Sequence, residues 1–225
     1  MSVGDATPIL IAPDDANALC DYVSASAGYL RAVEAALRTE AEARGYCTRI
    51  RARVARTRTK LGGHHQSSKA MVSAVGAITA SVCKEFDSDL VSDPVRRAVW
   101  CGNGVLHTSV RNLDGAIPSL FNPAIVWEIK EYWGKTSGGS KMSDAVYECH
   151  LVGRELREFE RRSGMHVNHV VFIDGKQQWS CRRSDLVRFI DLLIVGREVE
   201  TEWETTLRGM LGDNKNSPRT SKSTH

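Results

Sequence analysis

Residues 124–133 read AIVWEIKEYW, and this stretch constrains the fold more than any other in the chain. β-Branched and aromatic residues dominate it, which predicts a strand, and one apolar enough to lie inside a sheet. Three charges interrupt it. Alternation puts Glu128 and Lys130 on one face, roughly 6.5–7 Å apart along the strand, with Trp127 and Ile129 on the other. An acid and a lysine are costly to bury without a partner or a purpose, so this pair is the first candidate for chemistry.

The flanking sequence supplies mostly helices before this strand and a mixture after it. Apolar residues recur at helical spacing over 14–44 (Leu19, Tyr22, Val23, Leu30, Val33, Leu37), with Asp14 or Asp15 as cap and Gly45 as stop. Residues 46–60 read as helical or extended, 61–68 as a loop, and 69–86 as a buried helix. Gly102-Asn103-Gly104 predicts a turn, and 105–110 and 113–118 predict short strands. A loop is expected over 134–143, a helix from Asp144 to about Arg162, and a strand over 169–173. Asp174-Gly175 reads as a hairpin turn. A last helix is expected from Ser184 or Asp185 to Val195, ahead of a polar tail. The class is therefore α/β or α+β, a central mixed sheet flanked by helices. The expected organisation is a helical, basic N-terminal region (1–65) for DNA binding or dimerisation, a core (66–211) and a flexible tail (212–225).

Composition excludes classes rather than choosing one. With 225 residues, 25% charged and 42% hydrophobic, the chain is an ordinary globular one, and disordered, collagenous or mucin-like readings fall away. The net charge of +3 conceals an asymmetry. Residues 1–42 carry seven acids against Arg31 and Arg38, whereas residues 43–84 carry nine basic groups and no acid. Such a segment needs a polyanionic partner or a neutralising neighbour in the fold. The N-terminus has neither the basic nor the long apolar region of a signal peptide, and no stretch suits a membrane span. The six cysteines are scattered without a CxxC, as expected for free thiols in a reducing cytoplasm. Neither GxxxxGK[ST] nor GxGxxG occurs, so no nucleotide cofactor is expected.

Asp114 lies fourteen residues before Glu128. If 113–118 and 124–132 pair as neighbouring strands, Asp114 comes beside Glu128. Two carboxylates and the Ile129 carbonyl would then offer three hard oxygen ligands, which suits Mg²⁺ retaining several waters. Acid-x-Lys also occurs as Asp174-Gly175-Lys176 and Asp213-Asn214-Lys215. The latter lies in the polar tail, and the hairpin reading accounts for Asp174 without chemistry. For Glu128 and Lys130 the alternative is an exposed ion pair on an edge strand.

The series LDGAIP, AIVWEIKEYW and SDAVYECHLVGRELREFE resembles the PD-(D/E)xK nuclease superfamily, and within it the type II restriction endonucleases. The resemblance covers about residues 69–195. It matches Asp114 to the first acid, Glu128 to the second and Lys130 to the lysine; Leu113 stands where the family often has a proline. It implies a restriction-endonuclease-like core and a further acid from the preceding helix, with Glu85 as candidate and Asp87 and Asp89 as rivals. The implied activity is Mg²⁺-dependent hydrolysis of DNA to 5′-phosphate and 3′-hydroxyl ends. Asp114, Glu128 and the Ile129 carbonyl would hold the metal, and Lys130 would orient the attacking water.

Candidate DNA contacts are Arg49, Arg51, Arg53, Arg56, Arg58 and Lys60 of the basic run, His64 and His65 in the loop after it, and Lys135, Lys141, Arg182 and Arg183. The alternative for the basic run is a solvated face balanced by the acids of residues 1–42. The expectation is a cytoplasmic, bacterial or archaeal homodimer acting on double-stranded DNA. A repair, phage or mobile-element nuclease of the same fold, or a DNA-binding protein without catalysis, are the alternatives.

Overall fold

The computed structural model describes residues 12–56, 67–134, 139–182, 185–186 and 191–216. Its centre is a five-stranded mixed sheet in the order β1-β4-β5-β6-β7, comprising β1 (Val91–Ser92), β4 (Gly115–Ile117), β5 (Ile125–Glu131), β6 (Asn168–Asp174) and β7 (Leu192–Val195). The pairs β1·β4 and β4·β5 are antiparallel; β5·β6 and β6·β7 are parallel. The stretch 124–133 thus becomes the central strand, where its apolar side chains are covered on both faces. It is not an edge strand. A separate hairpin pairs β2 (Val99–Gly102) with β3 (Val105–Thr108). Its two-residue turn, Asn103-Gly104, has positive φ at both positions (49° and 76°), the geometry that matches strand twist.

Helices cover both faces of the sheet. α3 (Ala70–Glu85) and α7 (Trp203–Asn216) lie on the face of Ile125, Trp127 and Phe172, where Trp203 and Leu207 are fully buried. α4 (Gly139–Ser163) lies on the other face, where Val152, Leu156 and Phe159 meet Ala116 and Val126. Gly115 is required for the packing of β4 on β5. A Cβ there would sit 1.8 Å from an indole carbon of Trp127.

The N-terminal helical segment is two helices, α1 (Pro13–Ala36) and α2 (Glu40–Arg49), rather than one. The break at residues 37–39 has a local cause. Thr39 and Glu42 form a capping box that starts a new helix, and Gly45 sits inside α2 instead of ending it. Val33 and Leu37 bury against Val171, Ile173 and Val195, and Tyr46 and Cys47 join the cluster around Trp127. The N-terminal region is therefore packed into the core.

Three further expectations differ from the structure. α4 begins at Gly139, so Asp144 lies within the helix rather than capping it. Asp174-Gly175 leads into a short helix, α5 (Lys176–Trp179), and not a hairpin, because Arg38 engages the Asp174 side chain and Gly175 adopts φ 116°. The end of the expected last helix is strand β7: Leu192-Leu193-Ile194-Val195 is a short apolar run that pairs with β6, a type that periodicity alone does not resolve. After α6 (Glu198–Thr201), α7 continues past Gly212 to Asn216. Among the described residues no helix is long and apolar enough to cross a membrane.

Candidate active site

Because β5 is covered on both sides, its alternation sends Trp127 and Ile129 towards α3, and Glu128 and Lys130 towards α4. Glu128 is 1% and Lys130 6% exposed. Lys130 Nζ stands 3.0 Å from Glu128 Oε2. Asp114 lies just before β4, its N–H donating to the Trp127 carbonyl at 3.0 Å. Its Oδ2 accepts the Ile129 N–H at 2.6 Å. The structure thus sets Asp114 against the β5 backbone at Ile129, and Glu128 and Lys130 against each other. Ile129 turns its N–H towards Asp114, and a strand residue directs its N–H and C=O to the same side. The Ile129 carbonyl accordingly faces the Asp114 edge.

The cluster is larger than the sequence suggested. Arg111 places Nε 3.5 Å from Glu128 Oε2 and also contacts Glu148 on α4. Glu148 Oε2 is 3.1 Å from Lys130 Nζ. On β6, His169 sets Nε2 3.7 Å from Glu128 Oε1 and Nδ1 2.9 Å from Asp191 Oδ2. His169 is a polar residue in the otherwise apolar run NHVVFID, so the reasoning that singled out Glu128 applies equally to it. Arg111 and Glu148 carry no such signal. One precedes the strand in an irregular segment, and the other is an ordinary helix acid until α4 docks.

These neighbours set the charge state of the site. Burial alone would raise the Glu128 carboxyl, but His169 and Lys130 outweigh it and hold the pKa at about 2. Burial raises Asp114, with the Ile129 N–H and Lys130 opposing. Burial would lower His169, yet Asp191 and Glu128 raise it. Although Glu128 is ringed by cations, neither of its oxygens makes a hydrogen bond of good geometry. Its contacts with Lys130 at 3.0 Å, Arg111 at 3.5 Å and His169 at 3.7 Å are ion pairs.

Those orphaned oxygens bear on whether Mg²⁺ fits. Among the described residues no group of three or more His, Cys, Asp or Glu side chains converges as a metal site. Mg²⁺ does not require one: one or two carboxylates suffice when waters complete its octahedron. Asp114, Glu128 and the Ile129 carbonyl carry the hard oxygen donors that Mg²⁺ takes, and they are the residues that would hold it.

The remaining candidates scatter. Glu85 is exposed at the end of α3 and paired with Arg208 of α7 at 2.7 and 3.0 Å. Arg49 is tied to Glu200 at 2.7 Å and lies over the Tyr46 ring, so part of the basic run is neutralised within the fold. Arg51, Arg53 and Arg56 are exposed. Arg182 is half-buried, 3.9 Å from Asp185. Arg58, Lys60, His64, His65, Lys135 and Arg183 lie outside the described residues, as does the side chain of Lys141 within α4.

No curated protein and no solved structure matches the chain. A family model matches residues 35–210, a span from the end of α1 into α7 that includes every residue of the cluster. The chain belongs to the family described as a domain of unknown function (DUF7687).

Proposed function

We propose that this chain is a Mg²⁺-dependent DNA endonuclease of the PD-(D/E)xK type. Within that class, a type II restriction enzyme acting as a homodimer on a short duplex site is the preferred reading. The observation that carries it is the placement of Asp114 against the Ile129 backbone beside a buried Glu128–Lys130 pair whose carboxylate oxygens have no hydrogen bond. The mixed sheet with helices on both faces is compatible with the restriction-endonuclease-like core.

Phosphodiester hydrolysis needs an activated water in line with the leaving oxygen and stabilisation of charge at phosphorus. Mg²⁺ bound by Asp114, Glu128 and the Ile129 carbonyl would supply Lewis acidity for both. Glu128 is ionised throughout the neutral range and so can act as a ligand without losing a proton. Lys130 is held between Glu128 and Glu148, where its ammonium can orient the attacking water and offset developing negative charge. Two copies would each cut one strand and leave 5′-phosphates. DNA is preferred over RNA through the family resemblance alone.

A second reading draws on one specific observation. Lys130, Arg111 and His169 already surround Glu128, as they would in a nuclease-fold protein that binds DNA without cutting it. Incubating the purified protein with mixed plasmid and phage DNA, with Mg²⁺ or with chelator, separates the two. Discrete Mg²⁺-dependent fragments support restriction, and structure- or damage-dependent nicks support a repair or mobile-element nuclease. Binding without cleavage supports the binding module and contradicts the proposal.

A further inference from the structure

At the open side of the cluster a carboxylate stands between two cations. Glu148 contacts both Lys130 Nζ and Arg111 Nη1. Exposure rises steeply through this group: the Lys130 side chain is 7% exposed, Arg111 34% and Glu148 47%. Lys130 is fixed by the central strand. Arg111 has Nε and Nη1 shielded from water, with only ionic contacts to hold them. Two positioned cations therefore converge at the solvent boundary, and the anion they meet is the end of a long, half-exposed side chain.

Glu128 and Glu148 differ in what could replace them. Glu128 is enclosed at 1% exposure and faces Lys130, Arg111 and His169, so it cannot leave without uncovering buried charge. Glu148 can swing into water by rotation about its own side-chain bonds. A departing Glu148 would uncover a lysine and an arginine, a pair that accepts any compact oxyanion. A guanidinium takes phosphate oxygens as readily as carboxylate oxygens, and an ammonium beside it adds a second charge.

We propose that Arg111 and Lys130 form the subsite for the scissile phosphate, and that Glu148 occupies it as an internal stand-in that DNA displaces. The identification of the anion as a DNA phosphate rests on the nuclease reading. Exchanging one anion for another keeps both cations paired throughout entry. It also makes Glu148 a competitor, so apparent affinity for DNA falls by the fraction of time the subsite is filled from within. Arg111 is thereby a phosphate-binding residue adjacent to the position where charge develops.

The test is fluorescence anisotropy of a labelled DNA duplex in chelator, comparing the parent with Glu148→Gln, Arg111→Ala, the double variant and Asp144→Asn. Asp144 is an exposed acid one turn earlier on α4, so its removal measures the general effect of losing a negative charge. Glu148→Gln is expected to bind about tenfold more tightly than the parent, and Arg111→Ala about tenfold more weakly. Asp144→Asn is expected to change affinity by less than about twofold. In the Arg111→Ala background the gain from Glu148→Gln shrinks. Equal tightening by Glu148→Gln and Asp144→Asn, parental affinity in Arg111→Ala, or no DNA binding by the parent would each overturn the proposal. Adding Mg²⁺ to the same samples reads cleavage separately. Selective tightening by Glu148→Gln without cleavage by the parent keeps the phosphate subsite and removes the nuclease reading. Cleavage without selective tightening does the reverse.

Discussion

Two acid-x-lysine segments begin on neighbouring parallel strands near the same end of the sheet, and their acids face opposite sides of it. Asp174, at the end of β6, is fully buried and saturated. It accepts the Arg38 N–H at 2.9 Å, Arg38 Nε at 2.7 Å and the Gly175 N–H at 2.9 Å. Arg38 continues to Glu200 at 2.8 Å, and Lys176 donates its N–H to the Arg38 carbonyl at 2.8 Å while the residue itself is exposed. That cluster is closed: it ties the α1–α2 junction to the sheet. On β5, Glu128 and Lys130 point the same way and touch each other, yet both Glu128 oxygens lack hydrogen bonds, and the chain of charges opens onto half-exposed Arg111 and Glu148. The residue types are the same in both places. The difference lies in whether the fold uses up their hydrogen-bonding capacity, and only the second site retains any for a ligand.

Variants that act on one cluster and spare the other sharpen this contrast. The largest effect is expected at Asp114. Asp114→Asn keeps an acceptor for the Ile129 N–H but removes a ligand charge, and Mg²⁺-dependent cleavage should fall by about a thousandfold or more in single-turnover assays with the melting temperature retained. Next comes the closed cluster. Arg38→Ala leaves Asp174 buried and unpaired, so urea unfolding should show a loss of about 3–5 kcal/mol. Protein still folded should cut at the parental rate. Loss of cleavage without loss of stability would merge the two clusters into one functional unit.

Glu131 gives a smaller effect with a sign that can be worked out. Burial pushes its carboxyl up to about 7, against hydrogen bonds from the Met71 N–H and Trp133 Nε1. The folded state therefore holds a proton that the unfolded chain has released, and stability should decline as pH rises from about 4.5 to about 7, by roughly 3 kcal/mol. Glu131→Gln keeps the acceptor and should flatten that decline, as measured by urea unfolding across the range. The smallest effect is expected at Glu85, whose partner is Arg208 at the surface. Glu85→Gln should leave cleavage within about twofold, and a large loss would bring the end of α3 into the site.

Elements decided by a local pattern are legible in the sequence. The strand bearing Glu128 and Lys130, the helix of residues 70–85 and the pairing that brings in Asp114 all follow from apolar content and short connections. Elements decided by tertiary partners are not. The pattern of residues 14–44 is periodic enough for one helix, but Thr39 and Glu42 restart it and Arg38 turns inward to Asp174. Leu192–Val195 became a strand because β6 was there to pair with it. His169 was legible as a polar break in an apolar strand. Arg111 and Glu148 were not, because their roles arise when α4 docks beside β5. The basic run suits either a polyanion contact or neutralisation within the fold, and Arg49 takes the second course with Glu200.

The most direct measurement compares Lys130→Ala with Lys176→Ala on one DNA substrate, as single-turnover cleavage rates in Mg²⁺. The open-cluster account predicts a loss of about a hundredfold or more for Lys130→Ala and a parental rate for Lys176→Ala. Equal rates for Lys130→Ala and the parent, or a collapse confined to Lys176→Ala, would contradict it and move the chemistry to the end of β6.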